Sequence, residues 1–211
     1  MTIRDNIYKE FQKGGEAWAT LWEEEVNPLF QQFLNQSYFE SKHVLDIGCG
    51  MGKYLKFFQA GGFKTDGIDS SETAVEMTKE NLGDNSNIQC VDMFDFEIPK
   101  NTYDLIISIS TIHHGNKVQV KNLINKVYDS LRVNGKIFIT LPDFESSKKW
   151  DTFKDSMEEV AEGTYAPNTG PEKWLPHSFY TKEEVEKMFS VFKDVNVEID
   201  EIGRWIIQAA K

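Results

Sequence analysis

Apolar and polar positions fall into short blocks whose period changes along the chain. His43–Ile47 (HVLDI) is an apolar run that stops at glycines and reads as a strand. Met51–Ala60 carries Leu55, Phe57 and Phe58 and stops at Gly61-Gly62, which predicts a helix with a glycine end. Phe63–Ile68 reads as a second strand. Ser70 or Ser71 can cap a helix over Glu72–Leu82, which ends before Gly83. Ile88–Val91 predicts a short third strand. Tyr103–Ile109 (YDLIISI) predicts a fourth, apolar on both faces as a buried parallel strand must be. Lys117–Leu131 places Val118, Leu123, Ile124, Val127 and Leu131 at helical spacing. Asn134-Gly135 predicts a turn, and Lys136–Leu141 (KIFITL) a fifth strand. Alternation of this kind predicts an α/β fold, a parallel sheet with helices on both faces.

The two ends differ from this middle. Residues 1–40 read as helical and aromatic, with Trp18, Leu21, Trp22, Val26, Leu29, Phe30 and Phe33 on one apolar face interrupted at Pro28. Residues 142–176 hold four of the six prolines and little periodicity, which predicts a long irregular insert of the kind that often covers a site. Thr181-Lys-Glu-Glu184 is a capping box that opens a helix with Val185, Met188 and Phe189. Two strand-like segments follow, Val191–Ile199 and Arg204–Ala209. The expectation is a single domain over 1–211: an N-terminal helical lid (1–40), a ligand-binding core (43–141), a variable insert (142–177) and a C-terminal helix with two strands (178–211).

Composition narrows the function classes. With 211 residues, 40% hydrophobic and 27% charged, the chain can bury a core without disulfides or metal. No run of about 18 apolar residues is present, so no membrane span is expected. The first residues carry charges and no apolar stretch, which argues against a secretory signal. Cys49 and Cys90 are too few for a disulfide scaffold or a zinc site, so reduced thiols, a cytoplasmic address and no metal are expected. The net charge of −11, with no basic segment, argues against nucleic acid as the main partner unless a second subunit brings it.

The chemistry concentrates at Val44-Leu-Asp-Ile-Gly-Cys-Gly-Met-Gly52. Glycines after a strand and before a helix let the backbone turn tightly and let a ligand come close. Standing alone, such a loop is a weak signal, with an ordinary tight strand-to-helix turn as the lesser alternative. Asp69 ends the second strand about 20 residues on, where nucleotide folds place an acid on ribose hydroxyls; it is also placed to cap the following helix. Asp92-Met93 follows the third strand, where a carboxylate can accept from an adenine amino group and a methionine can cover the ring; a loop acid beside a core methionine is the plainer reading. The loop is Gly-x-Gly-x-Gly, not the Gly-x-Gly-x-x-Gly that admits a pyrophosphate, and Asp46 would repel one. The pattern asks for a ligand with adenine, ribose and an amino-acid end, and no phosphate.

On these motifs the chain resembles the class I S-adenosylmethionine-dependent methyltransferases, the small type 11-like group. VLDIGCGMG is similar to the family's first motif, GIDSS to the second, CVDMF to the third and YDLIISISTIHH to the fourth. LRVNGKIFIT resembles the family's helix–turn–strand, with Asn134 where a glycine is usual. The resemblance implies a Rossmann-like, seven-stranded, mostly parallel sheet whose last strand is antiparallel. It implies S-adenosylmethionine as cofactor and S-adenosylhomocysteine as product. Gly48, Cys49 and Gly50 would line the methionine part, with Asp46 near the amino group. Asp69 would hold the ribose hydroxyls, Ser70 would flank the adenine, and Asp92 and Met93 would bind it. Ile109 and Ser108 would contact the methionine chain.

Three histidines are candidates at the acceptor side. His113 is taken as substrate-facing and catalytic and His114 as a packed structural neighbour, with the alternative that neither does acid–base work; His177 is taken as a surface-loop residue, with a place at the pocket cover as the alternative. Tyr8, Trp18 or Trp22 would face the pocket if the N-terminal segment is a lid; otherwise these residues cap the sheet edge. The expected activity is methyl transfer to oxygen or nitrogen of a small molecule, by a monomer. Two alternatives stay open. One is a tRNA-modifying enzyme, because the IHH stretch is similar to wobble-uridine methyltransferases. The other is a cofactor-binding protein without transfer activity.

Overall fold

The computed structural model describes residues 3–12, 26–83, 86–149 and 151–211. Trp18, Leu21 and Trp22 lie outside them. The chain runs α1 (Ile3–Gln12), α2 (Pro28–Asn35), β1 (His43–Ile47), α3 (Lys53–Ala60), β2 (Lys64–Asp69), α4 (Glu72–Leu82), β3 (Asn87–Cys90), β4 (Tyr103–Ser108), α5 (Lys117–Ser130) and β5 (Leu131–Pro142). It continues with α6 (Phe144–Ser147), α7 (Asp151–Ser156), β6 (Met157–Ala161), β7 (Thr164–Pro167), β8 (His177–Ser178), α8 (Lys182–Met188), β9 (Lys193–Ile199) and β10 (Arg204–Ala210).

Seven strands form one sheet in the order β3-β2-β1-β4-β5-β10-β9. β1 pairs in parallel with β2 and β4, and β4 with β5, whereas β10 runs antiparallel to both β5 and β9. The chain winds outward from β1 through β2 to β3, then returns to the other side of β1 as β4. This reversal opens a crevice beyond the carboxyl ends of β1 and β4, the usual place for a ligand in such sheets.

Both faces of the sheet are covered, which explains the unbroken apolar runs. Leu45, Ile47, Ile106, Ile137, Ile139 and Ile207 pack on one side with Val120, Ile124 and Val127 of α5 and Val185 of α8. Val44, Leu105, Ile107, Phe138 and Ile206 pack on the other with Phe30 and Phe33 of α2 and Phe58 of α3. Neighbouring residues of one strand thus serve opposite layers, as the two-residue period of a strand demands. Phe30 is fully buried, with its ring edge-on to Tyr54, Phe58 and Phe138.

Local signals set the element ends. Ser71 caps α4, its hydroxyl accepting from Ala74 N. Asn116 and Gln119 form a capping box on α5, and Thr181 and Glu184 form one on α8. Two expectations are corrected. The strand predicted to start at Lys136 begins at Leu131; Asn134, at φ +62°, is absorbed as an irregularity in β5 rather than a separating turn. The stretch after β5 is not irregular: it folds as two short helices and an antiparallel β6-β7-β8 sheet. Its strands are too short to show a period in the sequence. No helix among the described residues is long and apolar enough to cross a membrane.

Candidate functional site

A cavity of about 710 Å³ opens at the carboxyl ends of β1, β2, β4 and β5, within the range of about 300–1,000 Å³ typical of small-molecule sites. Asp46, Gly48, Cys49, Gly50, Asp69, Ser70, Met93, Ile109 and His113 all line it. Two expected residues do not. The Ser108 hydroxyl turns into the sheet and donates to Ile47 O at 2.9 Å, while its neighbour Ile109 faces the cavity. Asp92 is exposed, and its carboxylate accepts from Phe94 N at 2.9 Å.

The glycine loop is held from inside. Gly48 N and Cys49 N both donate to Ile68 O, at 2.8 and 3.0 Å, and Gly50 N donates to Asp69 Oδ2 at 3.0 Å. The first three amides of the turn are therefore spent on β2, so the loop is no nest for a phosphate. Gly48 sits at φ +79°, and a Cβ there would lie 2.0 Å from Thr111 Cγ2. Glycine is required by both backbone and space.

Two buried carboxylates face this loop. Asp46 stands one residue before the end of β1, and its pKa is pushed up to about 8, by burial and then by the charge of Asp69. Burial also raises Asp69, against the hydrogen bonds it accepts from Ser71 N and Gly50 N. Asp69 stays raised although Arg4 acts to lower it, and Asp46 is raised further by Asp69, so a cationic ligand would stabilise the charged forms of both.

The N-terminal helix closes one side. Asp5 accepts from Ser71 Oγ, Thr73 N and Thr73 Oγ1 and pairs with Lys9 at 2.8 Å, which docks α1 on the start of α4. Burial alone would raise the Asp5 pKa, but the bonds from Lys9 and Thr73 bring it down to about 2. One turn apart on the same helix face, Arg4 and Tyr8 reach the cavity. Arg4 donates to Ser70 Oγ at 2.9 Å and His114 O at 3.2 Å. Tyr8 is the member of the expected aromatic set that the described residues place at the site. Its hydroxyl lies over Gly50, and burial, then Asp69, pushes its pKa well up.

The opposite side is built by the insert. Ser178 of β8 donates from N to His113 O at 2.9 Å and from Oγ to Gly115 O at 2.7 Å. These bonds stitch β8 to the loop after β4 and bring His177 against His113 and His114, with ring centroids 5.6 and 4.7 Å away. His177 is therefore not a surface-loop residue but 7% exposed and part of the cavity wall. His114 is buried like His113, yet it lines the cavity too. Burial holds both imidazoles well below their ordinary pKa, so both are neutral.

Sequence reasoning missed Arg4, Thr111, Glu172 and Arg204, which also line the cavity. Arg204, at the start of β10, donates to Ser110 Oγ and to Asp200 Oδ2, both at 2.8 Å. Its placement follows from the pairing of Arg204 with Pro142, which no local motif reveals. For Arg4 a signal existed: it precedes Tyr8 by four residues on an amphipathic helix.

A family model described as "Methyltransferase domain" matches residues 44–135. The chain is 32% identical over 124 residues to a phosphoethanolamine N-methyltransferase of Plasmodium falciparum, covering 57% of this chain and 47% of that protein. It is 30% identical over 169 residues to EEF1A lysine methyltransferase 2 of Danio rerio, covering 74% of this chain and 70% of that one. Among solved structures, the 1,6-didemethyltoxoflavin-N1-methyltransferase of Burkholderia thailandensis, with bound 1,6-didemethyltoxoflavin and S-adenosylhomocysteine, superposes with a TM-score of 0.66 at 14% identity, over 97% of this chain and 86% of that one. The chain spans about half of the Plasmodium protein's length.

Proposed function

The chain belongs to the class I S-adenosylmethionine-dependent methyltransferases, and from that premise we propose that it methylates an oxygen or nitrogen of a small-molecule acceptor. The observation that carries this reading is the pair of buried carboxylates, Asp46 and Asp69, in one cavity with three histidines. The residues present fit S-adenosylmethionine. Asp46 suits the ammonium group, and the ribose hydroxyls suit Asp69, whose carboxylate oxygens keep lone pairs beyond the bonds from Gly50 N and Ser71 N. Ser70, Val91 and Met93 line the side expected for adenine. The cofactor supplies an electrophilic methyl group on a sulfonium.

The chain's own residues orient and enclose. Ile109 and the glycine loop hold the methionine end, while Tyr8 and Arg4 on α1 and Phe179 on the insert narrow access for water. His113 stands at the acceptor end, where its neutral ring can accept a proton from an attacking hydroxyl or amine as the new bond forms. A concave site of about 710 Å³ is of the size that takes a small acceptor beside the cofactor. Incubation of the protein with S-adenosylmethionine and a panel of small amines, phenols and carboxylic acids, read as S-adenosylhomocysteine release, tests the assignment. Turnover with a panel member supports it. Turnover confined to protein or tRNA substrates would overturn the small-molecule reading.

A further inference from the structure

We propose that His113, His114 and His177 form a binding site for a divalent transition-metal ion of the Zn²⁺ class, at the acceptor end of the cavity. One ring nitrogen from each of the three lies within 4.8 Å of the other two. Three imidazoles are the protein ligand set of an open zinc site, with Zn–N distances of about 2.0–2.1 Å and a fourth position left for an exogenous ligand. Tetrahedral coordination at those distances puts the nitrogens about 3.3 Å apart, so loading needs the longest pair to close by about 1.5 Å or less.

Two further observations favour a cation at this cluster. His113 is nine-tenths buried, and its Nδ1 has no hydrogen-bond partner among the described residues. A buried nitrogen left unpaired in a polar site costs free energy, and a metal ion would use its lone pair. His177 Nδ1 lies 2.8 Å from Leu175 O, a bond that makes Nδ1 the donor and leaves the lone pair on Nε2. A carbonyl fixing the tautomer of a ligating histidine is the usual outer-shell arrangement. That Nε2 lies 3.3 Å from Glu172 Oε2, which places a carboxylate beside the imidazole cluster. The negative charge of that carboxylate favours a cation at the cluster.

The site is assembled from two remote parts of the chain. The loop after β4 gives two ligands and β8 the third, held in register by the Ser178 bonds to His113 O and Gly115 O. The sequence expectation of no metal rested on cysteine count and did not foresee this meeting. The fourth position opens on the cavity and suits an oxygen, nitrogen or sulfur of an acceptor. That role rests on the methyl-transfer reading and replaces proton acceptance by His113, whose one lone pair the ion takes; ion binding itself does not rest on that reading.

The test is uptake of Zn²⁺ and Co²⁺ by the chelator-stripped full chain. The expected result is one ion per chain, with the visible absorption bands of four- or five-coordinate Co²⁺ and three imidazole nitrogens by X-ray absorption at the metal edge. His177→Gln and His113→Gln should each weaken uptake about tenfold or more, with unchanged far-ultraviolet circular dichroism. The spectroscopic ligand count on the unmutated chain stands whether or not the variants fold. Absence of stoichiometric uptake, fewer than three imidazoles, or uptake unchanged in folded His177→Gln would overturn the proposal. S-adenosylhomocysteine binding, measured on the same samples, separates the two readings: metal uptake without it leaves the ion site standing and removes the methyltransferase role.

Discussion

Asp46→Asn removes the charge but not the shape of the buried carboxylate at the end of β1. Its pKa of about 8 in the unliganded protein makes cofactor binding a proton-linked event. The ammonium group of S-adenosylmethionine needs the carboxylate form, so binding pulls the pKa down and releases a proton. Ionisation of a group with a pKa of about 8 is about 1% at pH 6 and about 9% at pH 7, so affinity should rise about ninefold over that unit. That is about 1.3 kcal/mol. Affinity rises with pH and flattens near pH 8. His113 and His114, held low, and Tyr8 and Cys49, pushed high, do not titrate between pH 6 and 7. Calorimetric titrations in buffers of different ionisation heat should show about 0.9 proton released per cofactor at pH 7. Asp46→Asn should bind more weakly at pH 7 and lose most of this pH dependence. Equal pH slopes in the two proteins, or no proton release in the unmutated one, would refute the assignment of Asp46 to the ammonium.

Other outcomes follow from the geometry. Gly62 and Gly48 both have positive φ, but a Cβ at Gly62 meets nothing within 4 Å, whereas one at Gly48 collides with Thr111. In urea unfolding, Gly62→Ala should cost about 1–2 kcal/mol, and Gly48→Ala about 3 kcal/mol or more with loss of cofactor binding. Phe30→Ala, at the centre of the α2–sheet layer, should cost about 3–5 kcal/mol in the same assay. Asp5→Ala should loosen α1 and destabilise the chain at pH 7 by about 1–3 kcal/mol. Because the folded-state pKa of Asp5 is depressed to about 2, that contribution is present above about pH 4 and fades as pH falls toward 2. The gap between the two proteins should therefore narrow in acid; a constant gap down to pH 2 would contradict the docking role.

What the sequence reveals is what neighbouring residues decide. β1, β2, β4 and the helix Glu72–Leu82 emerge within a residue or so of their expected ends, because continuous apolar runs and caps such as Ser71 are local signals. Asp46, Gly48 and Asp69 are legible for the same reason: each sits at a fixed offset from a strand end. Ser108 and Ile109 show the limit of this reading, since the two-residue strand period decides which of them faces the cavity. Arg204 and Glu172 reach the cavity through antiparallel pairing and the insert's folding, and nothing near them in sequence marks it. His177 was misplaced because the bonds that bury it come from Ser178 reaching across to the loop after β4.

The most direct test of the cavity's assignment is calorimetric titration of S-adenosylmethionine and S-adenosylhomocysteine into the purified chain, freed of copurified ligand, beside Asp69→Ala. The expected result is binding of both in the micromolar range, weakened at least about tenfold in the variant, which loses the carboxylate that accepts from Gly50 N and Ser71 N and is proposed to hold the ribose. Absence of binding to either ligand by folded protein, or equal affinity in folded Asp69→Ala, would contradict it.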